Sequence, residues 1–310
     1  MSDRATRDAY GTALVTLGKE NRDVVVLDAD LSKSTKTYDF SRAYPERFFN
    51  MGIAEQNLMA VAAGLARENK IPFASTFAMF ATGRAYEIIR NSICYPRLNV
   101  KIAATHAGIT VGEDGASHQS VEDISLMRSI PNMVVLVPAD GTETEKMVEA
   151  AAAWKGPVYI RMGRSKVPAL FDESYEFAIG RATVLKEGSD VTLLACGIMT
   201  AKALEAAGIL AQEGISAEVI NVGTIKPLDR ETILTSLKKT GRAVTAEEHS
   251  IIGGLGSAVS ELTAEELPVP VLKVGIRDTF GESGNPEELL VAYGLTAEEI
   301  AGKARAVCAL

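Results

Sequence analysis

Short runs of β-branched residues alternate with amphipathic stretches along the chain, and this alternation limits the possible folds more than any other feature. In the first half the runs lie at 23–30, 71–76, 99–105, 133–140 and 157–162. Each run is almost continuously apolar, which is typical of strands in a parallel sheet covered on both faces. Between them, apolar residues recur at helical spacing over 4–19, 54–68, 82–93, 121–129 and 142–154. The pattern predicts an α/β fold.

The pattern lapses once, between about residues 163 and 189, and then resumes. The lapse contains a proline, several charges and a glycine near each end, which indicates a connection between domains. This connection can include a short strand. A length of 310 residues is also more than one ordinary domain needs. We therefore expect two doubly wound α/β domains: a mainly parallel one over 1–165, a linker over 166–189, and a smaller one over 190–310.

Charge and hydropathy exclude several classes of partner. The chain has 32 Lys and Arg against 40 Asp and Glu, a net charge of −8, so it has no basic surplus for nucleic acid or an anionic membrane. Its longest apolar run, residues 59–66, is far shorter than the ~20 residues that span a bilayer. The first residues are polar and unlike a secretory signal, so we expect a cytoplasmic protein. The three cysteines are about a hundred residues apart, which predicts reduced thiols.

Two of the three histidines, His106 and His118, lie in one polar, glycine-rich segment, THAGITVGEDGASHQSVED at 105–123. The segment follows a predicted strand, and ligands of open α/β sheets bind beyond the carboxyl ends of strands. A polar recognition loop and a solvated loop with helix-capping acids both fit this composition. A metal site is disfavoured because the histidines are twelve residues apart and no thiol or closely spaced third ligand accompanies them.

Glu55 lies in the first turn of a predicted helix whose other residues are mostly small or apolar. An acid there is stabilised by the helix dipole. It can equally be a carboxyl group in a dry pocket that shares a proton with a ligand nitrogen. Composition alone leaves both interpretations open.

Phe77 and Phe80 lie three residues apart in a chain that is only 6% aromatic. Ordinary core packing explains such a pair. The functional alternative is an apolar wall on which a heteroaromatic ring stacks.

Taken together, these segments resemble the transketolase family. The strings THAGITVGEDGASHQSVED, GIAEQN, STFAMF, ATR at 5–7 and DADLSKS at 28–34 look like its pyrimidine-binding domain, and AEEHSIIGGLGSAV looks like its C-terminal domain. The resemblance covers essentially all 310 residues. Full-length members also have an N-terminal domain with a Gly-Asp-Gly metal motif, which this chain lacks. It therefore resembles the C-terminal half of a split transketolase.

The resemblance implies thiamine diphosphate as cofactor. The family's glutamate hydrogen-bonds N1′ of the aminopyrimidine, and Glu55 occupies that position in GIAEQN. Phe77 and Phe80 match the aromatic pocket around the pyrimidine, with Phe80 the better stacking candidate. Asp30 matches an acid near the cofactor at the subunit contact.

The resemblance also implies a phosphosugar substrate. Asp114 matches a partner of a sugar hydroxyl, and His118 a partner of the groups at the reacting carbons. Arg7, His106 and Arg164 match positions that hold the substrate phosphate, where N–H donors suit a dianion. Ser34 is a weaker phosphate candidate. We expect Glu55, His118 and His106 to be the catalytic residues.

The missing domain implies partners. We expect an N-terminal transketolase subunit that holds the diphosphate and most of the ligands of Mg²⁺ or another divalent cation, this chain supplying no metal ligand. We also expect homodimerisation within an α2β2 assembly.

Some residues depart from the family pattern. Ala107 and Gly108 stand where full-length transketolases usually have Asp-Ser, and Gly83 where an aromatic residue is often found. These changes partly resemble 1-deoxyxylulose-5-phosphate synthase, so a subunit of a related thiamine enzyme is one alternative. A non-catalytic regulatory subunit of the same fold is another. The turn GGLGS at 253–257 is either structural or an anion site at a helix N-terminus, and His249 is unassigned.

Overall fold

The computed structural model of the chain describes residues 3–310, which form strands and helices in both halves of the chain. The strands, in chain order, are β1 (Arg4–Ala5), β2 (Val24–Asp28), β3 (Phe48–Asn50), β4 (Ile71–Phe77), β5 (Lys101–Thr105), β6 (Val134–Leu136), β7 (Val158–Arg161), β8 (Lys166–Val167), β9 (Thr183–Lys186), β10 (Val191–Ala195), β11 (Ala217–Asn221), β12 (Thr224–Lys226), β13 (Ala243–Ser250) and β14 (Val271–Ile276). The helices are α1 (Thr6–Glu20), α2 (Ser32–Thr35), α3 (Tyr38–Ala43), α4 (Glu55–Arg67), α5 (Tyr86–Ile88), α6 (Asp123–Ser129), α7 (Gly141–Ala153), α8 (Met199–Gln212), α9 (Arg230–Thr240), α10 (Leu255–Glu266), α11 (Pro286–Ala292) and α12 (Ala297–Cys308). Short 3₁₀ turns occur at Pro45–Arg47 and Ile109–Asp114.

The first domain is built on a seven-stranded sheet in the order β12-β6-β7-β5-β4-β2-β3. Its strands are parallel except β12, which is antiparallel to β6. Strands β2, β5, β6 and β7 are buried along their whole length, as the continuous apolar runs predict. The order places the carboxyl ends of β2, β4 and β5 side by side.

One predicted helix has a different form. The stretch 82–93 is not one regular α-helix, because π-helical turns at Phe80–Arg84 and Ile89–Cys94 flank the short α5. Such π-turns occur often at functional sites, and the first of the two begins three residues after Phe77.

The second domain has a five-stranded sheet in the order β14-β13-β10-β11-β9. It is parallel except for β9, which runs antiparallel to β11. The prediction of two doubly wound α/β domains is confirmed.

Helix ends in both domains are set by local side chains. Asp140 begins α7 by accepting the Glu143 N–H at 2.8 Å, and Asp229 begins α9 by accepting from Thr232. Gly241 ends α9 with φ 71°, a left-handed conformation that glycine adopts without strain.

The two domains share strands and a buried carboxyl group. Within 166–189, β8 pairs with β1 and β9 joins the second sheet, while β12 returns from the second domain to the first sheet. At the junction, the carboxyl group of Glu143 accepts hydrogen bonds from Asn221 Nδ2 at 2.8 Å and Tyr175 Oη at 3.0 Å. Burial raises the pKa of Glu143 to about 7.

Candidate active site

The carboxyl edge of the first sheet gathers most of the candidate residues. Phe77 is the last residue of β4, His106 directly follows β5, and Asp30 lies two residues beyond β2. Glu55 begins α4, soon after β3. This edge is where α/β sheets bind ligands, because helix N-termini and short loops leave an open crevice there.

Aromatic rings line this edge. The imidazole of His106 stacks on Phe77 with ring centroids 3.8 Å apart, and Phe77 lies nearly parallel to Phe80 at 5.9 Å. His118 meets the Phe80 ring edge-on at 5.3 Å. Phe77 is buried, whereas Phe80 is only half-buried. Phe80 is therefore the ring with surface left for a ligand to stack on.

The contacts of His106 fix its protonation state. A guanidinium has only N–H donors, so Arg7 Nη1 donates to His106 Nε2 across 3.1 Å, and Nε2 must be unprotonated. The ring proton is then on Nδ1, which donates to Thr105 Oγ1 at 2.9 Å. Burial, followed by the charges of Arg7 and Arg164, lowers the pKa of His106 to about 3. His106 is thus a neutral acceptor that orients Arg7.

Arg7 has unused hydrogen-bonding capacity. Its Nη1 also donates to the Ser34 carbonyl at 3.1 Å, but within residues 3–310 its buried Nε finds no partner. Burial and the nearby positive charge of Arg164 lower the pKa of Arg7. The unpaired N–H donor of Arg7, together with the positive charge of Arg164 that lowers its pKa, favours an anion at Arg7.

Arg164 approaches this region from the loop after β7. Its Nη1 donates to the Val111 carbonyl and to Glu113 Oε2 at 3.1 Å, and lies 4.0 Å from Asp114 Oδ2. About a third of the Arg164 side chain is exposed, so solvent weakens these ion pairs. Asp114 is exposed beside it.

His118, Asp30 and Ser34 complete the set of candidates. His118 is half-buried, with its Nδ1 2.9 Å from Ser117 Oγ. Asp30 is exposed in a left-handed conformation with φ 65° and accepts a hydrogen bond from Asn50 Nδ2 at 2.8 Å. Ser34 contributes its main-chain carbonyl to the site through Arg7.

Glu55 is the most enclosed of the candidate acids, with only 2% of its surface exposed. Its Oε2 lies 3.5 Å from Nη1 of Arg84, whose guanidinium carbon is also 5.5 Å from the centroid of the Phe80 ring. Sequence reasoning missed Arg84, although it lies only four residues after Phe80. It also missed Asn50, which carries no signal beyond its place at the end of β3.

The second domain holds the histidine loop in place. The Thr110 N–H donates to Glu248 Oε1 at 2.8 Å, and Gln119 Nε2 donates to the Glu282 carbonyl at 2.9 Å. Gly108 has φ 84°, and a Cβ atom there would lie closer than 3.0 Å to all three carboxyl-group atoms of Glu248. The departure from Ser at position 108 therefore has a physical reason: Gly108 makes room for Glu248.

Models of known protein families match both domains. The transketolase pyrimidine-binding domain matches residues 2–169, and the transketolase C-terminal domain matches residues 180–300. The chain belongs to the transketolase family.

Similar proteins correspond to the same section of a transketolase. A putative transketolase C-terminal section of Methanocaldococcus jannaschii is 53% identical over 96% of this chain and 94% of its own length. A 6-deoxy-6-sulfo-D-fructose transketolase subunit of Clostridium sp. is 46% identical over 97% and 94%. A solved structure of a split-gene transketolase as an inactive β4 tetramer is 63% identical, with a TM-score of 0.93 over 99% of both chains. Our chain thus has the two C-terminal domains of a transketolase in their usual order.

In this transketolase section, the GGLGS turn is not an empty anion site. The Glu247 carboxylate accepts the N–H groups of Leu255 at 2.7 Å and Gly256 at 2.8 Å, so the chain itself supplies the anion at the N-terminus of α10. His249 is fully buried beside it, donating from Nδ1 to the Ser250 carbonyl at 2.7 Å. Both features are structural.

Residues 3–310 of this transketolase section contain no group of three or more His, Cys, Asp or Glu side chains arranged to hold a metal ion. No helix in the same range has the length and apolar character to cross a membrane.

Proposed function

We propose that this chain is the C-terminal subunit of a thiamine-diphosphate-dependent transketolase, which moves a two-carbon ketol unit from a ketose phosphate to an aldose phosphate. One observation supports this above others. A buried carboxyl group, an aromatic face and the guanidinium groups of Arg7 and Arg164 lie at one edge of the first sheet. When bound, the cofactor supplies the carbanion chemistry, while the protein binds and orients.

The residues at this edge fit an aminopyrimidine. The Glu55 side chain is enclosed, and within residues 3–310 its carboxyl group accepts one hydrogen bond, at Oε2. Oε1 is therefore left for a ring nitrogen. Phe80 offers a half-exposed face, with Phe77 buried behind it. We assign Glu55 to N1′ of the pyrimidine, Phe80 and Phe77 to the ring, and Asp30 to the edge of the cofactor site.

The guanidinium pair suits a phosphate group. Arg7 has an unpaired Nε–H, and Arg164 can exchange its partly exposed carboxylate partners for a dianion. We assign both to the substrate phosphate, with His106 fixing Arg7 and Ser34 beside it. Asp114 and His118 are assigned to sugar hydroxyls and the reacting carbons, because both lie on the same loop and retain accessible surface.

We propose that the rest of the cofactor site is supplied by another chain. The sequence lacks the Gly-Asp-Gly motif, and relatives of matching length are described as a C-terminal section or a subunit. We propose that an N-terminal subunit holds the diphosphate and its divalent cation in an α2β2 assembly. The inactive β4 tetramer of the 63% identical split-gene relative supports this, since that protein matches this chain over 99% of both lengths.

Co-expression with an N-terminal subunit encoded nearby tests the proposal. The complex, supplied with thiamine diphosphate and Mg²⁺, is assayed with xylulose 5-phosphate and ribose 5-phosphate, and the isolated chain is the control. We expect turnover by the complex alone. Parallel assays with 6-deoxy-6-sulfo-D-fructose and with pyruvate plus glyceraldehyde 3-phosphate distinguish a sulfosugar transketolase and a synthase. Turnover by the isolated chain, or none by the complex with any ketose donor, would contradict the proposal.

A further inference from the structure

Arg84 is the charged partner of the buried Glu55 carboxyl group. Its Nη1 lies 3.5 Å from Glu55 Oε2, and no other ion pair within residues 3–310 reaches Glu55. The two side chains differ greatly in exposure, 56% for Arg84 against 2% for Glu55. The pair therefore links a buried carboxyl group to a guanidinium group at the protein surface.

The same guanidinium also contacts the aromatic wall. Its central carbon lies 5.5 Å from the Phe80 ring centroid, within the range of a cation–π interaction. The Arg84 carbonyl accepts a hydrogen bond from Gln56 Nε2 at 3.4 Å, next to Glu55. Side chain and main chain of Arg84 thus join the π-helical turn to the start of α4. These two elements hold the proposed pyrimidine contacts.

Enclosure of Glu55 makes this contact important. A buried carboxylate without a cationic partner is strongly disfavoured, and within residues 3–310 Arg84 is the one side chain that hydrogen-bonds the Glu55 carboxyl group. The contact also involves only one of its two oxygens, Oε2. The other oxygen can reach a ligand while Arg84 keeps its place.

We propose that Arg84 is a positioning residue for Glu55. The Arg84 guanidinium holds Oε2 in place, so that Oε1 faces the pyrimidine nitrogen of a cofactor stacked on Phe80. It acts through Glu55 and needs no contact with the reacting atoms. The inference rests on the proposed function, because it assumes an aminopyrimidine ligand.

A double-mutant cycle tests it. The dissociation constant for thiamine diphosphate is measured by calorimetry, with Mg²⁺, on the complex with the N-terminal subunit. We expect Arg84→Met, which keeps the stem without the charge, to weaken binding about tenfold, or about 1.4 kcal/mol. Arg84→Lys should recover most of the affinity. The matched control Arg90→Met removes an exposed arginine of the same segment, bonded to Asn91, and should change nothing.

Coupling to Glu55 separates positioning from a structural role. In a Glu55→Gln background, Arg84→Met should cause little further loss, because the two residues act as one unit. The near-ultraviolet circular dichroism of the bound pyrimidine should change alike in both single variants. An additive tenfold loss, or wild-type affinity in Arg84→Met, would overturn the inference alone. Absence of thiamine diphosphate binding by the wild-type complex would overturn the proposed function as well.

Discussion

Replacement of Gly108 by alanine tests how the second domain shapes the site loop. Gly108 has φ 84°, and its added Cβ would displace the Glu248 carboxyl group, whose Oε1 accepts the Thr110 N–H at 2.8 Å. With ψ at −177° as well, this backbone conformation is almost exclusive to glycine and costs an L-residue about 1–3 kcal/mol. Loss of a hydrogen bond to a charged group costs about 1.5–3 kcal/mol. Alanine regains about 0.4–1 kcal/mol by restricting the unfolded chain.

The sum is a net loss of about 1.5–5.5 kcal/mol at the interface between loop and second domain. Hydrogen–deuterium exchange of the peptide spanning 105–119 measures this locally, without assuming that both domains unfold together. A local loss of about 2 kcal/mol or more should speed exchange by at least roughly 30-fold. Activity of the assembled enzyme should fall with it, since His106 lies on the same loop.

Gly52→Ala is the matched control. Gly52 has φ 70°, but a Cβ there meets no atom within 4 Å, so this variant has the backbone strain without the overlap. It should cost about 1.6 kcal/mol or less. Combining Gly108→Ala with Glu248→Ala should be strongly non-additive, because the second change removes the obstacle. Equal effects at Gly52 and Gly108, or additivity with Glu248→Ala, would refute the packing argument.

Four further predictions concern the chemistry of single residues. Glu55→Gln should lower turnover of the complex by orders of magnitude with little change in stability; near-normal turnover would exclude the assigned role. Arg164→Ala should raise the KM for phosphorylated sugars by about 10- to 150-fold, from roughly 1.5–3 kcal/mol of lost charged hydrogen bonds, and leave the KM for hydroxypyruvate almost unchanged; equal losses would mean that Arg164 serves the fold. Because its pKa is lowered to about 3, His106 should show a neutral Nδ1–H ring in ¹⁵N NMR spectra from pH 5 to 8; a titration in that window would contradict its contact with Arg7. The raised pKa of Glu143, about 7 against an ordinary 4.5, favours its protonated form in the fold, so its contribution to stability should be complete below pH 4.5 and decline as the pH rises through 7; Glu143→Gln should flatten that part of the stability profile, and an unchanged profile would refute the shift.

Local patterns along the chain were enough to predict the architecture. Apolar runs of strand length and amphipathic runs of helical period reflect which neighbouring residues are buried. They therefore predict the doubly wound domains. The position of His106 after a predicted strand also placed its loop at the sheet edge, because parallel strands share their carboxyl edge. Glu55 and the histidine loop could also be recognised from the sequence, because each lies in a motif that is one contiguous stretch.

Contacts between distant parts of the chain were decided only by tertiary structure. Glu55 and Arg84 are 29 residues apart, and Thr110 and Glu248 are 138 apart, so no local periodicity reports either pair. The sequence pattern also does not show that β12 joins the first sheet, because a short strand has the same pattern whichever sheet it joins. The sequence determines which side chains are available at the site. Packing of the two domains determines their partners, their charge state and the space left between them, because these depend on atoms brought together only in the folded chain.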